Sequence, residues 1–255
     1  MTTEKLKGKR VLVTAGAQGI GEAITRQLIE AGALVAVHYF SSESVANALV
    51  DEAKAKGLKA IAVQGDLTRY EDAQRIAAEI ESAFGGLEIL INNAGSLVER
   101  RFHGDVDEKH WKTVWDVNVT SAQNMSQAVA PLLEKSGASS IVNLASLAGR
   151  KGGHPGSLAY STSKGAILTW SRALATELAP KGIRVNALAP GLILGTSFHN
   201  THTTKESADA TVATIPLGRA GNADDVARAA LYFASEFDGF ITGATLDING
   251  GVYGC

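Results

Sequence analysis

Residues 10–24, RVLVTAGAQGIGEAI, join an aliphatic run to a glycine-rich turn and the start of a helical pattern. The run reads as a buried strand, and Gly16, Gly19 and Gly21 stand at the mouth of the helix. Glycine lets the backbone approach a ligand closely, and free amides at a helix start attract a pyrophosphate. A tight turn alone also favours glycine, and the spacing differs from G-x-G-x-x-G. The rest of the chain must therefore decide between a binding turn and a structural one.

Short aliphatic and β-branched runs alternate with longer segments of helical period along the whole chain. The predicted strands are residues 10–14, 34–39, 60–64, 87–92, 140–145, 183–189 and 245–248. The clearest predicted helices are residues 19–31, 43–56, 70–84, 160–179 and 224–235. This alternation indicates crossover connections and a parallel sheet with helices on both faces. We therefore predict an α/β fold, a Rossmann-type doubly wound sheet of about seven strands.

The composition fits one intracellular domain. The chain has 255 residues, 45% of them hydrophobic, and no linker or repeat divides it, so we expect a single domain over residues 1–255. The net charge is -2 and the basic residues are scattered, which argues against a nucleic-acid partner. The first ten residues lack an apolar signal core, and no apolar run is long enough to span a bilayer. We expect a cytoplasmic protein without a membrane partner.

Cysteine and histidine usage argues against a metal site. Cys255 is the only cysteine in the sequence, which excludes an internal disulfide and a cysteine-based cluster. His199 and His202 lie three residues apart without a third ligand nearby, so we predict no bound metal there. Both belong to residues 190–223, a segment without clear period. A loop of that length in a compact domain is usually a lid or binding element, and we predict a substrate lid.

In doubly wound sheets, ligands bind beyond the carboxyl ends of the strands. Polar and glycine residues follow four of the predicted strands, as TAGAQGIG (14–21), GDLT (65–68), NNAG (92–95) and NLASLAG (143–149). Each alone is common turn chemistry. Together they indicate one binding crevice at this edge of the sheet.

Tyr160 precedes Lys164 by four residues in a helical pattern, LAYSTSKGAI. At this spacing the two side chains share one helix face and their polar ends can converge. An ammonium beside a phenol favours the phenolate and so lowers the pKa of the phenol. The pair is a candidate acid–base unit, although this spacing is also frequent by chance.

The second predicted strand ends without the acidic residue that folds preferring NAD normally carry there. Tyr39 and Phe40 occupy that region, and the first acid is Glu43, in the next helix. The missing carboxylate removes a repulsion against a 2′-phosphate, which Ser41 and Ser42 can help to bind, and this favours NADP. No Arg or Lys stands there to neutralise the phosphate, so NAD stays open.

From end to end, the chain resembles the short-chain dehydrogenases/reductases. The matching motifs are TAGAQGIG, GDLT, NNAG, Asn118, Ser146, YSTSK (160–164), VNALAPG (185–191) and TGATLDINGG (242–251). Their order and intervals agree with the family at every level, which makes the set specific although no single motif is. Ala15 is a departure, because the family most often has Gly there. We expect a slightly tighter turn and retained cofactor binding.

The resemblance implies a catalytic set of four residues. Tyr160 would be the general acid in reduction and the base in oxidation. Lys164 would lower the pKa of that phenol and bond the nicotinamide ribose. Ser146 would hydrogen-bond the substrate oxygen, and Asn118 would hold a water that links Lys164 to solvent.

The resemblance also implies contacts with the cofactor. Besides Tyr160 and Lys164, the expected contacts are Gly16, Gln18, Gly19, Ile20 and Gly21 in the first turn, Tyr39, Ser41 and Ser42 after the second strand, Asp66 and Leu67 beside the adenine, Asn93, Ala94 and Gly95 near the ribose, Pro190 and Gly191 beside the nicotinamide, and Thr196 near the carboxamide or phosphates. Family analogy further implies a homotetramer, or a homodimer, built on the last helices and the C-terminal strand.

The function implied by the resemblance is hydride transfer between NADP or NAD and a small secondary alcohol or ketone. The closest-looking branch is the 3-oxoacyl-(acyl-carrier-protein) reductases. That branch commonly carries basic residues before the fifth strand, whereas residues 134–140 contain only Lys135, with Lys181 at another plausible docking position. A free alcohol, sugar or ketone is therefore at least as good an interpretation. A non-catalytic dinucleotide sensor is the remaining alternative, although such a protein would be expected to lose Tyr160, Lys164 or Ser146 first.

Other polar and aromatic residues are interpreted as structural. Arg100 and Arg101 lie near the expected rim of the site and could meet an anionic substrate, but solvated charge is the default interpretation. Trp111 and Trp115, four residues apart, are expected to pack on the body or on a neighbouring subunit.

Overall fold

A parallel seven-stranded sheet forms the centre of the protein, seen in a computed structural model that describes residues 4–196, 201–235 and 239–254. The strands are β1 (Arg10–Val13), β2 (Leu34–Tyr39), β3 (Ala60–Gln64), β4 (Ile89–Asn92), β5 (Ser139–Leu144), β6 (Ile183–Pro190) and β7 (Thr245–Ile248). Their order is β3-β2-β1-β4-β5-β6-β7, and every neighbouring pair is parallel. The strand order reverses between β1 and β4, which opens a crevice at their carboxyl ends.

Nine α-helices have bounds in the described ranges. They are α1 (Gly19–Glu30), α2 (Glu43–Ala55), α3 (Tyr70–Phe84), α4 (Glu108–Trp115), α5 (Ser121–Ser136), α6 (Ala148–Lys151), α7 (Leu158–Leu178), α8 (Lys205–Val212) and α9 (Ala223–Ala234). Local chemistry fixes several ends. For example, Asn222 caps α9 by accepting from the Asp225 N–H at 2.9 Å, and α3 ends at Gly85, whose φ is +77°.

The two faces of the sheet carry separate apolar cores. Val11 and Val13 pack with residues of α1, α2 and α9, whereas Leu12, between them, packs with residues of α3, α5 and α7. Successive side chains of a strand point to opposite faces, so an uninterrupted aliphatic run serves both cores. Helices cover both faces, and the doubly wound prediction is confirmed.

All seven predicted strands and the five predicted helices are present, with ends shifted by at most two residues. The prediction left out the short helices α6 and α8, and also α4 and α5. A π-helical turn, Asp116–Thr120, joins these two helices and shifts the phase of the apolar pattern between them. Pro131 inside α5 further weakens its helical signal.

The predicted lid contains α8, on which Glu206 and Asp209 are exposed. His199 lies outside the described residues. Across the described ranges, no helix is both long and apolar enough to cross a membrane. Nor do those ranges bring together three or more His, Cys, Asp or Glu side chains that could hold a metal ion.

Candidate active site

A cavity of about 670 Å³ opens at the carboxyl ends of β1, β4, β5 and β6. Its volume lies in the range of small-molecule and cofactor sites. Eleven of the predicted site residues line it, namely Gln18, Gly19, Ile20, Asn93, Gly95, Ser146, Tyr160, Lys164, Pro190, Gly191 and Thr196. Ser207 and Thr211 of α8, in the segment predicted as a lid, also line the cavity. The strand ends thus bring the separate motifs to one place.

The first turn presents an open helix N-terminus to this cavity. Gln18 is the N-cap residue of α1, and no side-chain hydrogen bond caps the helix there. Gly19 has a φ of +53°, and a Cβ at this position would lie 3.5 Å from the Thr196 Cβ. Backbone N–H groups at such a terminus bind anionic groups. Gly19 and Thr196 therefore lie close together on the cavity wall beside this helix start, where an anionic group would meet the free N–H groups.

Ala15 holds the turn in a conformation that ordinarily requires glycine. Its φ is +48°, in the left-handed region, which agrees with the family's usual Gly at this position. The side chain of His38, on β2, supports this conformation. His38 Nδ1 accepts from the Ala15 N–H at 3.0 Å, and its Nε2 lies 3.1 Å from the Gly65 carbonyl oxygen. A neutral ring with the proton on Nε2 satisfies both contacts.

Folding stability should depend on the protonation of His38. Burial lowers the pKa of His38 from 6.5 to about 4. The unfolded chain therefore takes up this proton first, and the contribution of His38, fully present above pH 6.5, is lost as the pH falls towards 4. The free energy of unfolding should drop by about 3 kcal/mol over this window. Chemical denaturation of the wild type and of His38→Gln at several pH values measures the effect, and parallel pH dependences in the two proteins would contradict it.

Asn93 lines the cavity and also forms hydrogen bonds with the first turn. Its amide donates to the carbonyl oxygens of Thr14 and Ala15, at 3.0 and 3.1 Å. Thr14 Oγ1 in turn accepts from the backbone N–H groups of Asn93 and Ala94, each at 2.9 Å. A Cβ on Gly21 would clash with the Ala15 carbonyl oxygen and lie 2.5 Å from Asn93 Nδ2. The motifs after β1 and β4 are therefore one interlocked unit, which explains the glycine at position 21.

Helix α7 carries Tyr160 and Lys164 to the cavity wall. Lys164 is only 4% exposed, and its Nζ donates to the Leu144 carbonyl oxygen at 2.7 Å. The same Nζ lies 5.9 Å from the centroid of the Tyr160 ring. Burial lowers the pKa of Lys164 from 10.5 to about 8. The predicted proximity of amine and phenol is therefore present in the structure.

Ser146 lies two residues after the end of β5 and is hydrogen-bonded to the Tyr160 hydroxyl. Burial raises the pKa of Tyr160, and this hydrogen bond acts in the opposite direction. Ser146 Oγ also accepts from the Ala148 N–H at 3.1 Å, so the start of α6 fixes its position. Two hydroxyl groups therefore meet on the wall of the cavity, where a substrate oxygen would find both.

Asn118 lies in the π-helical turn and is buried, next to the cavity rather than in its wall. Its amide donates to the carbonyl oxygens of Ser96 and Val114 at 2.7 and 2.8 Å, and its Oδ1 accepts from the Ser96 N–H at 3.1 Å. A Cβ on Gly95 would lie 2.7 Å from Asn118 Oδ1 and 2.9 Å from Lys164 Nζ. Any side chain at position 95 would therefore displace Lys164 or Asn118.

The remaining predicted cofactor residues lie outside the cavity wall. Gly16, Gly21 and Ala94 belong to the interlocked turns, Tyr39 is the last residue of β2, and Ser41 and Ser42 follow it. Asp66 Oδ1 accepts from the Thr68 N–H and hydroxyl at 3.0 and 2.7 Å, which caps the turn before α3. Leu67 is 5% exposed.

His38, the role of Thr14 and the different environments of two adjacent arginines were not predicted from the sequence. The polar residue His38 within an otherwise aliphatic strand was the available signal for the first of these. Solvated charge was the expectation for both Arg100 and Arg101. Arg101 is ion-paired with Glu99 and Asp107, whereas Arg100 lines the cavity, and both residues are half-buried.

Comparisons with known proteins agree with this geometry. A short-chain dehydrogenase/reductase family model described as "Enoyl-(Acyl carrier protein) reductase" matches residues 14–253. The 3-oxoacyl-[acyl-carrier-protein] reductase FabG of Staphylococcus epidermidis is 36% identical over 245 residues, covering 96% of this chain and 99% of the relative. Nodulation protein G of Azospirillum brasilense is 36% identical over 244 residues, covering 96% and 98%.

A solved structure extends the agreement to three dimensions. The crystal structure of the NADH-dependent reductase A1-R′ responsible for alginate metabolism has a TM-score of 0.89 with this chain. The two are 30% identical, and the match covers 99% of this chain and all of the other. The chain therefore belongs to the short-chain dehydrogenase/reductase family, and it is an oxidoreductase that uses a nicotinamide cofactor on alcohol and keto groups of small molecules.

Proposed function

We propose that Tyr160 protonates the carbonyl oxygen of a ketone while the carbonyl carbon accepts a hydride, and that it removes the same proton when the alcohol is oxidised. The observation that carries this proposal is the hydrogen bond between the Tyr160 and Ser146 hydroxyls on the cavity wall. A carbonyl oxygen bound there meets a proton donor and a second hydrogen bond as its negative charge develops. The nicotinamide, when bound, supplies the hydride.

The residues around the cavity fit such a cofactor. The uncapped start of α1 offers the backbone N–H groups of Gly19 and Ile20 to a pyrophosphate. Pro190 and Gly191, at the end of β6, line the part of the cavity near Ser146 and would flank the nicotinamide. This assignment keeps the proposed hydride donor on the same side as Tyr160.

Lys164 has two proposed tasks. One ammonium proton goes to the Leu144 carbonyl oxygen, which leaves the others for a ribose hydroxyl in the cavity. Its positive charge favours the phenolate of Tyr160 and so opposes the effect of burial on the pKa of that phenol. Lys164 would therefore both hold the cofactor and tune the acid.

Asn118 is proposed as a positioning residue. Both of its amide hydrogens are donated to main-chain carbonyl oxygens, so its side chain fixes the segment at Ser96. That segment includes Gly95, which lies against Lys164 Nζ. The water-holding role implied by the family would use the remaining lone pair of Oδ1 or the main-chain carbonyl of Asn118.

For the cofactor, we propose NADP. Residues 39–42 contain no carboxylate to repel a 2′-phosphate, and Ser41 and Ser42 supply hydroxyl groups at the end of β2. The NADH dependence of the reductase A1-R′ makes NAD the alternative to discriminate.

The names of the FabG relatives favour a second candidate, reduction of 3-oxoacyl groups on an acidic carrier protein. Carrier docking would use exposed basic residues. However, Lys135 pairs with Glu81 at 3.7 Å and Lys181 pairs with Glu134 at 3.0 Å. Because both lysines already face a carboxylate, we favour a small free substrate.

We also propose a cytoplasmic homotetramer, with a homodimer as the alternative. Members of the family usually assemble, and apolar side chains are available for contacts. Trp111 on α4 is 38% exposed and Leu246 on β7 is 39% exposed. Burial of these side chains in an assembly would remove apolar surface from water.

A panel of small ketones and secondary alcohols, assayed with NADPH and NADH, tests substrate class and cofactor together. Turnover of free ketones with a higher kcat/KM for NADPH is expected, because no carboxylate follows β2. A strict preference for NADH would overturn the cofactor proposal. Much faster reduction of a 3-oxoacyl group on a carrier protein than of its free short thioester would favour the second candidate.

A further inference from the structure

Among the residues that the structure describes, the cavity that holds the Tyr160–Ser146 pair is also lined by two basic side chains, Arg100 and Lys151, for which no paired carboxylate is found. We infer that the substrate is a keto acid or the corresponding hydroxy acid, and that Arg100, assisted by Lys151, binds its carboxylate. This inference rests on the proposed carbonyl reduction, and it adds the chemical class of the substrate.

Arg100 is held at the wall by main-chain atoms. Its Nε donates to the His202 carbonyl oxygen of the lid segment, and its Nη1 donates to the Pro155 carbonyl oxygen, both at 3.2 Å. Within the described ranges, no carboxylate pairs with Arg100, and its Nη2 has no partner. Two neutral acceptors thus orient the guanidinium without neutralising it. A planar guanidinium with free N–H groups is well suited to bind a carboxylate.

Arg100 also lies close to the proposed reaction centre. The backbone N–H of Arg101 donates to the Gly156 carbonyl oxygen at 3.0 Å, and Arg101 forms a β-bridge with Ser157. Ser157 is the N-cap residue of α7, the helix that carries Tyr160. The segment that carries Arg100 is therefore bonded to the chain at Ser157, three residues before Tyr160, the proposed acid.

Lys151 supplies a second cation on the cavity wall. It is the last residue of α6, which begins two residues after Ser146, and its exposed side chain also lines the cavity. Among the described residues that line the cavity there is no Asp or Glu. A wall with cations and no acid attracts an anion and repels a cationic substrate.

The neighbouring arginine provides a matched control. Arg101 Nε lies 3.0 Å from Glu99 Oε2, and its Nη1 lies 3.0 Å from Asp107 Oδ2, so its charge is neutralised. It does not line the cavity. Of these two adjacent arginines, only Arg100 lines the cavity and lacks a paired carboxylate among the described residues.

Two matched pairs of probes separate charge recognition from catalysis. The pairs are 4-oxopentanoate with its methyl ester and 3-oxobutanoate with its methyl ester, each assayed for kcat and KM with NADPH and with NADH. The wild type should prefer the acids. Arg100→Met should lose about 10- to 100-fold in kcat/KM on the acids, mainly through KM, and much less on the esters. Arg100→Lys should retain part of the preference, Lys151→Met should lose less than Arg100→Met, and Arg101→Met should behave as the wild type.

Other results would overturn the inference in distinguishable ways. The wild type could be equally active on acids and esters, or Arg100→Met could lose equal activity on both. Either result would mean that Arg100 only connects the lid segment to the loop before α7. Carbonyl reduction itself would stand. If neither acids nor esters are reduced while other ketones of the panel are, the inference fails and the proposed function stands; if no ketone of the panel is reduced with either cofactor, both fail. Thermal unfolding of Arg100→Met and Arg101→Met verifies that both variants are folded.

Discussion

Tyr160→Phe should lower kcat for ketone reduction by roughly 10²- to 10⁴-fold, the usual contribution of a general acid. The change removes only the phenolic oxygen, so the proton donor is lost while α7 and the cavity keep their shape. Cofactor binding should persist, since the start of α1 and Lys164 are untouched. Steady-state kinetics with a ketone from the panel, together with fluorescence titration of the reduced cofactor, measure both effects.

Tyr70→Phe is a matched control for this variant. Tyr70 begins α3 and does not line the cavity, so its replacement should leave kcat near the wild-type value. Turnover that survives in Tyr160→Phe would refute the proposed acid. A dinucleotide sensor makes a different prediction, because it would bind cofactor without measurable turnover in the wild type as well.

Lys164→Met should also lower kcat by about two orders of magnitude or more, and it should weaken cofactor binding as well. Methionine has a similar length, so packing is largely kept while the ammonium and its donation to the Leu144 carbonyl oxygen are lost. Without this positive charge, the pKa of Tyr160 should rise further above its ordinary value. Oxidation of an alcohol requires the phenolate, so its pH–rate profile should move to higher pH.

The pH–rate profile separates this role from a structural one. A variant that is merely misfolded loses activity at every pH without a shift of the profile. Lys56→Met is the control, because Lys56 is exposed, pairs with Glu52 at 3.2 Å and does not line the cavity. An unshifted profile in Lys164→Met, with normal cofactor binding, would show that Lys164 does not act on Tyr160.

The sheet was predictable because both of its faces are buried. Strands such as β1 and β4 then read as aliphatic runs, which stand out against the helical segments between them. Helices α4 and α5 were not predictable from the sequence, because the π-helical turn between them breaks the apolar period that identifies a helix. That same turn positions Asn118, so the local irregularity coincides with a proposed site residue.

The part of the candidate site that is formed by motifs at the strand ends was predictable. The residues whose role depends on their side-chain environment in the folded chain were not. Tyr160, Lys164 and Ser146 converge because parallel strands end at one edge of the sheet. Nothing in the sequence distinguishes Arg100 from Arg101, since their difference arises from the carboxylates of Glu99 and Asp107 in the folded chain. His38 was missed for a similar reason, because its partner, the Ala15 N–H, is 23 residues away along the chain.

The most direct test of carbonyl reduction through Tyr160 is isotope transfer from reduced nicotinamide carrying deuterium at C4. Labelled cofactor of each face is incubated with a ketone and the wild type or Tyr160→Phe, and the alcohol is analysed by mass spectrometry. We predict one deuterium on the carbinol carbon with one of the two faces in the wild type, and almost no labelled alcohol with Tyr160→Phe over the same time. Labelled alcohol formed equally fast by Tyr160→Phe would contradict the account.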